Sequence, residues 1–200
     1  MNRILAQIGL AACMTLAVGT AQAVPVTYVG HLSGLNEATP NASPGTGFAM
    51  VTIDTDADLL SVSVTFSGLT AGTSASHIHC CTANPFSFPA VSPATHTPSF
   101  DGFPLGVTSG SYDRDFATTD PATWNPDFIA ANGGTTDGAE TAFAAGLSQG
   151  RAYINIHTTE FRAGEILAFL TPIPEPATLA LFAAGLLGLG ATRRLRSRGT

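Results

Sequence analysis

No lysine occurs in these 200 residues; all eight basic residues are arginines. Five of them lie in the terminal segments: Arg3 near the start, and Arg193, Arg194, Arg196 and Arg198 at the end. Between Val24 and Thr171 only Arg114, Arg151 and Arg162 face thirteen Asp and Glu, which leaves that span at a net charge of −10. A span so acidic lacks the positive footprint that phosphate backbones require, which excludes nucleic acid as a partner. An anionic membrane surface would repel it. Cysteine is nearly as scarce: Cys13, Cys80 and Cys81 are the three. The last two are adjacent, so no long-range disulfide framework exists and the domain must stand on its apolar core. Among the aromatics, Trp124, Tyr112 and Tyr153 are candidates for a sugar platform, with no supporting motif. A Gly-x-Ser-x-Gly elbow and a phosphate loop are both absent, so no common hydrolase or nucleotide signature is present.

What is there begins with two addressing segments. Asn2-Arg3 precedes an apolar stretch from Ile4 to Val18, and Ala21-Gln22-Ala23 follows. That order reads as a secretory signal over residues 1–23, cut by signal peptidase after Ala23, with Ala21 and Ala23 as the small residues at the site. Gln7 and Gly9 interrupt the run, which is too short for a good membrane span. Leu10-Ala11-Ala12-Cys13 offers a competing lipobox, but the apolar run continues beyond Cys13.

At the other end, Pro174-Glu175-Pro176 is followed by an apolar stretch over 177–191 and by the arginine cluster. Fifteen helical residues reach only about 22 Å, short of a hydrocarbon core of roughly 30 Å. The arginines would hold that end on the cytoplasmic side. These three parts, in this order, resemble the PEP-CTERM sorting signal of Gram-negative bacteria. The resemblance implies an inner-membrane-anchored precursor, processing by an exosortase, and release towards the cell surface or an exopolysaccharide matrix. An uncut tail anchor is the plain alternative.

The intervening 24–172 reads as one β-rich domain. Leu60, Val62, Val64 and Phe66 alternate with Ser61, Ser63 and Thr65, the period-two pattern of a half-buried strand. Asp54 to Asp58 reads as a polar hairpin turn into that strand. Read as a calcium loop, it lacks the glycine and glutamate needed at the sixth and twelfth positions, where Leu59 and Thr65 stand. Further strands are expected at 26–32, 47–54, 76–80, 107–116, 151–158 and 165–170. Seven strands predict an all-β fold, an immunoglobulin-like sandwich or a partly closed barrel. Residues 82–150 read as an insertion. Its first part carries Pro85, Pro89, Pro93, Pro98 and Pro104 and is expected to be a long loop. One or two short helices follow: Asn125-Pro126 opens the first, Asp137-x-x-Glu140 resembles a capping box, and Ala139, Phe143 and Leu147 form an apolar stripe ended by Gly150.

Leu32-Ser33-Gly34-Leu35-Asn36-Glu37-Ala38-Thr39-Pro40, residues 45–56 and 62–69, and His77-Ile78-His79 resemble the first half of a CHRD (chordin-type) domain. Tyr153-Ile154-Asn155-Ile156-His157-Thr158 and Gly164-Glu165-Ile166 resemble its end. Cys80 and Cys81 replace the glycine that the family pattern usually has after the His-x-His. The resemblance implies an immunoglobulin-like β fold and brings no established biochemical function.

The five histidines are His31, His77, His79, His96 and His157. His77 and His79 share one strand face, and His157 shares a face with Tyr153 and Asn155, opposite Ile154 and Ile156. If the two strands are neighbours, His77, His79 and His157 can converge on Zn²⁺ or Cu²⁺. The plainer reading has them brace the sheet through hydrogen bonds. A copper-zinc dismutase would need more ligands than the chain offers. Cys80 and Cys81 are expected to form a vicinal disulfide in an oxidising compartment, with a thiolate ligand or free thiols as alternatives. Glu37 and Glu165 are candidate carboxylates whose spacing in sequence says nothing about their separation. The resulting expectation is a non-catalytic structural or binding module of the envelope or extracellular matrix, with a metal-binding protein or metal-dependent enzyme on the three histidines as the alternative.

Overall fold

The computed structural model describes residues 24–173, together with 181, 184 and 185. The signal segment, Ala21 and Ala23, Cys13, the Pro174-Glu175-Pro176 motif and nearly all of the apolar tail lie outside the described residues. Among the described residues, no helix is long and apolar enough to cross a membrane.

Eight strands follow in chain order: β1 (Val26–Ser33), β2 (Thr46–Asp54), β3 (Leu59–Ser67), β4 (Thr73–Cys80), β5 (Gly110–Ala117), β6 (Ala152–Thr158), β7 (Ile166–Phe169) and the two-residue β8 (Thr171–Pro172). Two short helices, α1 (Pro126–Ala131) and α2 (Thr136–Ser148), lie between β5 and β6. Seven strands form one antiparallel path, β4-β6-β7-β1-β2-β3-β5, and β8 pairs with β1 beside β7. The path curls into a half-barrel, the partly closed form of the expected all-β architecture. β5 lies inside the insertion yet extends the sheet beyond β3.

Period-two patterning decides which face turns inward. Leu60, Val62, Val64 and Phe66 of β3 are buried, as are Ala49, Val51 and Ile53 of β2. Phe48 and Met50, on the opposite face of β2, stay partly exposed at 37% and 41%. Ile78, Ile154, Ile156 and Ile166 form the inward row on the other wing, all fully buried. Each contributes roughly 2 kcal/mol of transfer free energy. Where β1 crosses β7, a Cβ at Gly30 would meet Ala168 Cβ at 2.7 Å, so only glycine lets the strands close.

The helices add Phe128 of α1 and Ala139, Phe143 and Leu147 of α2 to the core. Asn125 caps α1 by accepting from Asp127 N–H, with Pro126 at the first position. The Ala139, Phe143 and Leu147 stripe of α2 is fully buried, and Phe143 meets the Trp124 ring at 5.4 Å. The expected capping box has a different register. Thr135 is the cap, accepting from Gly138 N–H, and the Glu140 carboxylate instead accepts from Thr118 Oγ1 at 2.7 Å. A buried hydroxyl partner outcompetes the reciprocal backbone bond that a capping box needs.

The proline-rich part of the insertion lies along the free edge of β4. An exposed edge leaves backbone groups unpaired, and here the loop pairs them. Ala94 and Thr95 N–H donate to Ile78 O, Phe100 N–H donates to Ser76 O, and Gly106 N–H donates to Thr73 O. Proline has no N–H but its loop brings hydroxyls, and these accept from the strand: Thr95 Oγ1 from Ile78 N–H and Ser99 Oγ from Ser76 N–H. This covering has a consequence for the aromatic residues. Trp124, Tyr153 and Tyr112 are 1%, 2% and 7% exposed, so none of the three offers a sugar-stacking surface.

Candidate metal centre

Strands β4 and β6 are neighbours, with His77 opposite Asn155 and His79 opposite Tyr153. Opposite residues of an antiparallel pair share a face, so His77, His79, Tyr153, Asn155 and His157 all project from the side away from the isoleucine row. The sequence places them outward, towards solvent. The structure covers that face: His77 and His79 are buried, Asn155 is 2% exposed, and His157 is half-buried. The cover comes from the insertion, with Phe88 packed against Tyr153 and Phe169, and Phe86 against Phe169.

Each ring is held in the same way. His77 Nδ1 bonds Pro98 O at 2.9 Å, His79 Nδ1 bonds Val91 O at 2.5 Å, and His157 Nδ1 bonds Arg162 O at 2.9 Å. A carbonyl only accepts, so each Nδ1 carries the proton and each neutral ring presents a bare Nε2 lone pair. One ligand atom from each ring lies within 4.8 Å of those of the other two. His77 Nε2 and His157 Nε2 are 3.1 Å apart. With both Nδ1 atoms protonated, that approach sets two lone pairs against each other unless a cation lies between them. Donors about 2.05 Å from a tetrahedral ion stand about 3.3 Å apart, close to this separation. His79 stacks on Tyr153 at 4.6 Å, and its buried Nε2 has no hydrogen-bond partner.

The electrostatics favour neutral rings. Burial pushes His77 down to about 3, with the nearby charge of His79 and then of His157 adding to it against the Pro98 carbonyl. Burial likewise brings His79 down to about 4, against the opposing Val91 carbonyl, and lowers His157. Unprotonated imidazole is the form that ligates metal. His31 and His96 stand apart: His31 is exposed on β1 against Phe48, and His96 uses its backbone N–H on Thr123 O.

A family model for the CHRD domain matches residues 28–168, most of the chain. The chain belongs to the CHRD domain family. A second model, the PEP-CTERM protein-sorting motif, matches residues 172–194. This CHRD protein is therefore exported, handled at the cell envelope and processed by exosortase. No curated protein and no solved structure matches it significantly.

Two buried polar groups of the CHRD domain carry little signal in the sequence. Asn155 is the only polar residue between the two inward isoleucines of β6, and its Oδ1 is buried without a hydrogen-bond partner. Glu37 is buried against Gly164, whose φ of +132° and missing Cβ make room for the carboxyl. Its Oε1 also has no partner, and burial pushes its pKa up to about 7 against the Ala38 hydrogen bond. Cys80 and Cys81 are disulfide-bonded to each other and pack on Gly146 of α2, away from the ring nitrogens. No thiolate is thus available to the three histidines.

These shifts set opposing pH dependences for the metal-free chain. The histidines have folded pKa values below the ordinary 6.5, so the unfolded chain takes up protons first and stability falls as pH drops from about 6.5 towards 4. Glu37 has a folded pKa above 4.5, so its contribution is present below 4.5 and is lost as pH rises through about 7. Urea unfolding of the chelator-treated chain should show lower stability at pH 4.5 than at pH 7.5. Glu37→Gln should steepen that loss and raise stability at pH 8 by up to about 3 kcal/mol. An unchanged slope in Glu37→Gln would mean that the carboxyl is already ionised in the fold.

Proposed function

We propose that this CHRD protein is a metal-holding, non-catalytic binding module of the cell envelope, with His77, His79 and His157 as ligands for Zn²⁺ or Cu²⁺. The observation that carries this reading is the shared tether: three Nδ1–H groups committed to carbonyls, in three rings that each bring a ligand atom within 4.8 Å of the others. Bracing the sheet and binding a metal are then complementary, because the carbonyl bonds fix the rings and leave the ligand atoms free. Borderline-soft imidazole donors suit Zn²⁺ and Cu²⁺ better than Mg²⁺ or Ca²⁺. An acidic, lysine-free domain would also draw cations towards itself.

The rest of the proposal concerns place. Signal peptidase would remove residues 1–23, the apolar tail would hold the precursor transiently in the inner membrane, and exosortase processing would deliver the domain to the surface or exopolysaccharide matrix. Support for this comes from the order of the terminal segments and the matched sorting motif. Contact with exopolysaccharide or other envelope components would use the exposed acidic surface, since the aromatic candidates are buried.

The test is metal content of the exported protein purified without chelator, followed by re-titration after chelation. One Zn²⁺ or Cu²⁺ per chain, with Mg²⁺ and Ca²⁺ failing to compete, is the expected result. A chain that takes up no transition metal at micromolar concentration would overturn the reading.

A further inference from the structure

A fourth buried acceptor, Asn155 Oδ1, belongs to the same strand face as the three histidines. Asn155 stands directly across from His77 and two residues before His157 on the same face. It is also diagonal to His79, which stands opposite Tyr153, two positions before it on the same strand face. Asn155 Oδ1 and His79 Nε2 are both buried, and neither has a hydrogen-bond donor. Leaving one such atom unpaired costs about 1–3 kcal/mol. Among the described residues, only three buried side-chain N or O atoms lack a partner, and these are two of them. No histidine proton satisfies them, because each histidine has committed its Nδ1–H to a carbonyl.

We infer that Asn155 Oδ1 is the fourth ligand, completing a closed site of three imidazole nitrogens and one amide oxygen. This rests on the metal reading above and deepens it. Catalytic zinc sites keep one position for water or substrate, whereas structural ones fill all four. A site filled by the protein holds its ion for stability, storage or electron transfer, and leaves no place where a metal-bound water could attack a substrate. The inference thus decides between the two expectations for the histidines, in favour of holding over hydrolysis.

The experiment uses the full chain loaded with Cu²⁺, comparing wild type with Asn155→Leu and Asn155→Asp by electron paramagnetic resonance and azide titration. Wild type should give a single copper signal and no azide-to-copper charge-transfer band at millimolar azide. Asn155→Leu should bind copper at least 10-fold more weakly, with an altered signal and a new azide band. Asn155→Asp, which restores an oxygen ligand, should recover both affinity and azide resistance. Copper bound stoichiometrically, with the same signal and affinity in Asn155→Leu, would overturn the fourth ligand and leave the histidine site standing. That is also the outcome if the Asn155 amide is turned over, with Nδ2 donating to His79 Nε2. A wild-type chain that binds no copper overturns both. Should Asn155→Leu fail to fold, as read by circular dichroism, the wild-type azide titration decides alone: a strong azide band means an open position and no fourth protein ligand.

Discussion

Replacing His77 or His157 with alanine should lower the affinity of the chain for Zn²⁺ or Cu²⁺ by at least about 100-fold. Loss of outer partners alone costs 10–100-fold at such sites, and a ligand costs more. These two rings are the pair whose Nε2 atoms stand 3.1 Å apart, so they define one edge of the site. With metal at about 1,000 times its dissociation constant, wild type should gain about 4 kcal/mol, a rise in melting temperature of roughly 10 °C. Either variant should lose that gain. In chelator, the same variants should unfold close to wild type, because the deletion also ends the opposition of the two lone pairs. His31→Ala is the control and should behave as wild type, since its ring is exposed on β1 against Phe48. A melting temperature equally sensitive to metal in wild type and His77→Ala would sink the assignment.

The second large effect belongs to Glu165, and it is structural. Its carboxylate accepts from Ser43 Oγ at 2.6 Å, Thr70 N–H at 2.6 Å and Thr158 Oγ1 at 2.7 Å. Its own carbonyl accepts from Asn41 Nδ2. One buried residue therefore ties the loop before β2, the loop after β3 and the end of β6. Burial pushes the carboxyl up, but the bonds from Ser43, Thr70 and Thr158 outweigh it and hold the group below the ordinary 4.5. Glu165→Ala strands three donors and should cost on the order of 4 kcal/mol in urea unfolding. Glu165→Gln keeps the shape and part of the bonding, and should lose about half as much. Because the folded pKa is depressed, the contribution is present above 4.5 and is lost as pH falls below it. Wild type and Glu165→Ala should therefore converge in stability towards pH 3. A difference that stays constant down to pH 3 would contradict a charged Glu165 in the fold.

Glu37 and Glu165 illustrate why carboxylates are hard to read in sequence. Both are glutamates in polar, glycine-containing stretches, yet one collects three donors and the other has an oxygen with none. Their separation depends on how β1, β7 and the turn between β6 and β7 meet, which no local spacing records. The capping of α2 shows the same limit on a smaller scale. Asp137-x-x-Glu140 has the letters of a capping box, but Glu140 goes to Thr118, a residue brought close only by packing.

The chain's amino-acid order, by itself, determined the C-terminal sorting motif, the all-β class, the strand faces of β2 and β3, and which three histidines share a surface. Those features follow from local periodicity and composition, because side chains alternate along a strand whatever lies around it. Only the tertiary structure decided that the histidine face is a second interior. The proline-rich insertion folds back along β4, closes its open edge, and packs Phe88 on Tyr153, the ring against which His79 stacks. The same insertion supplies the Val91 and Pro98 carbonyls that set the tautomers of His79 and His77. Those contacts join residues 12 and 21 positions apart through an irregular loop, whose path has no period to read. Three histidines on a strand face were legible as a possibility of chemistry; the bare nitrogens and the orphaned Asn155 oxygen exist only because the loop lies over them.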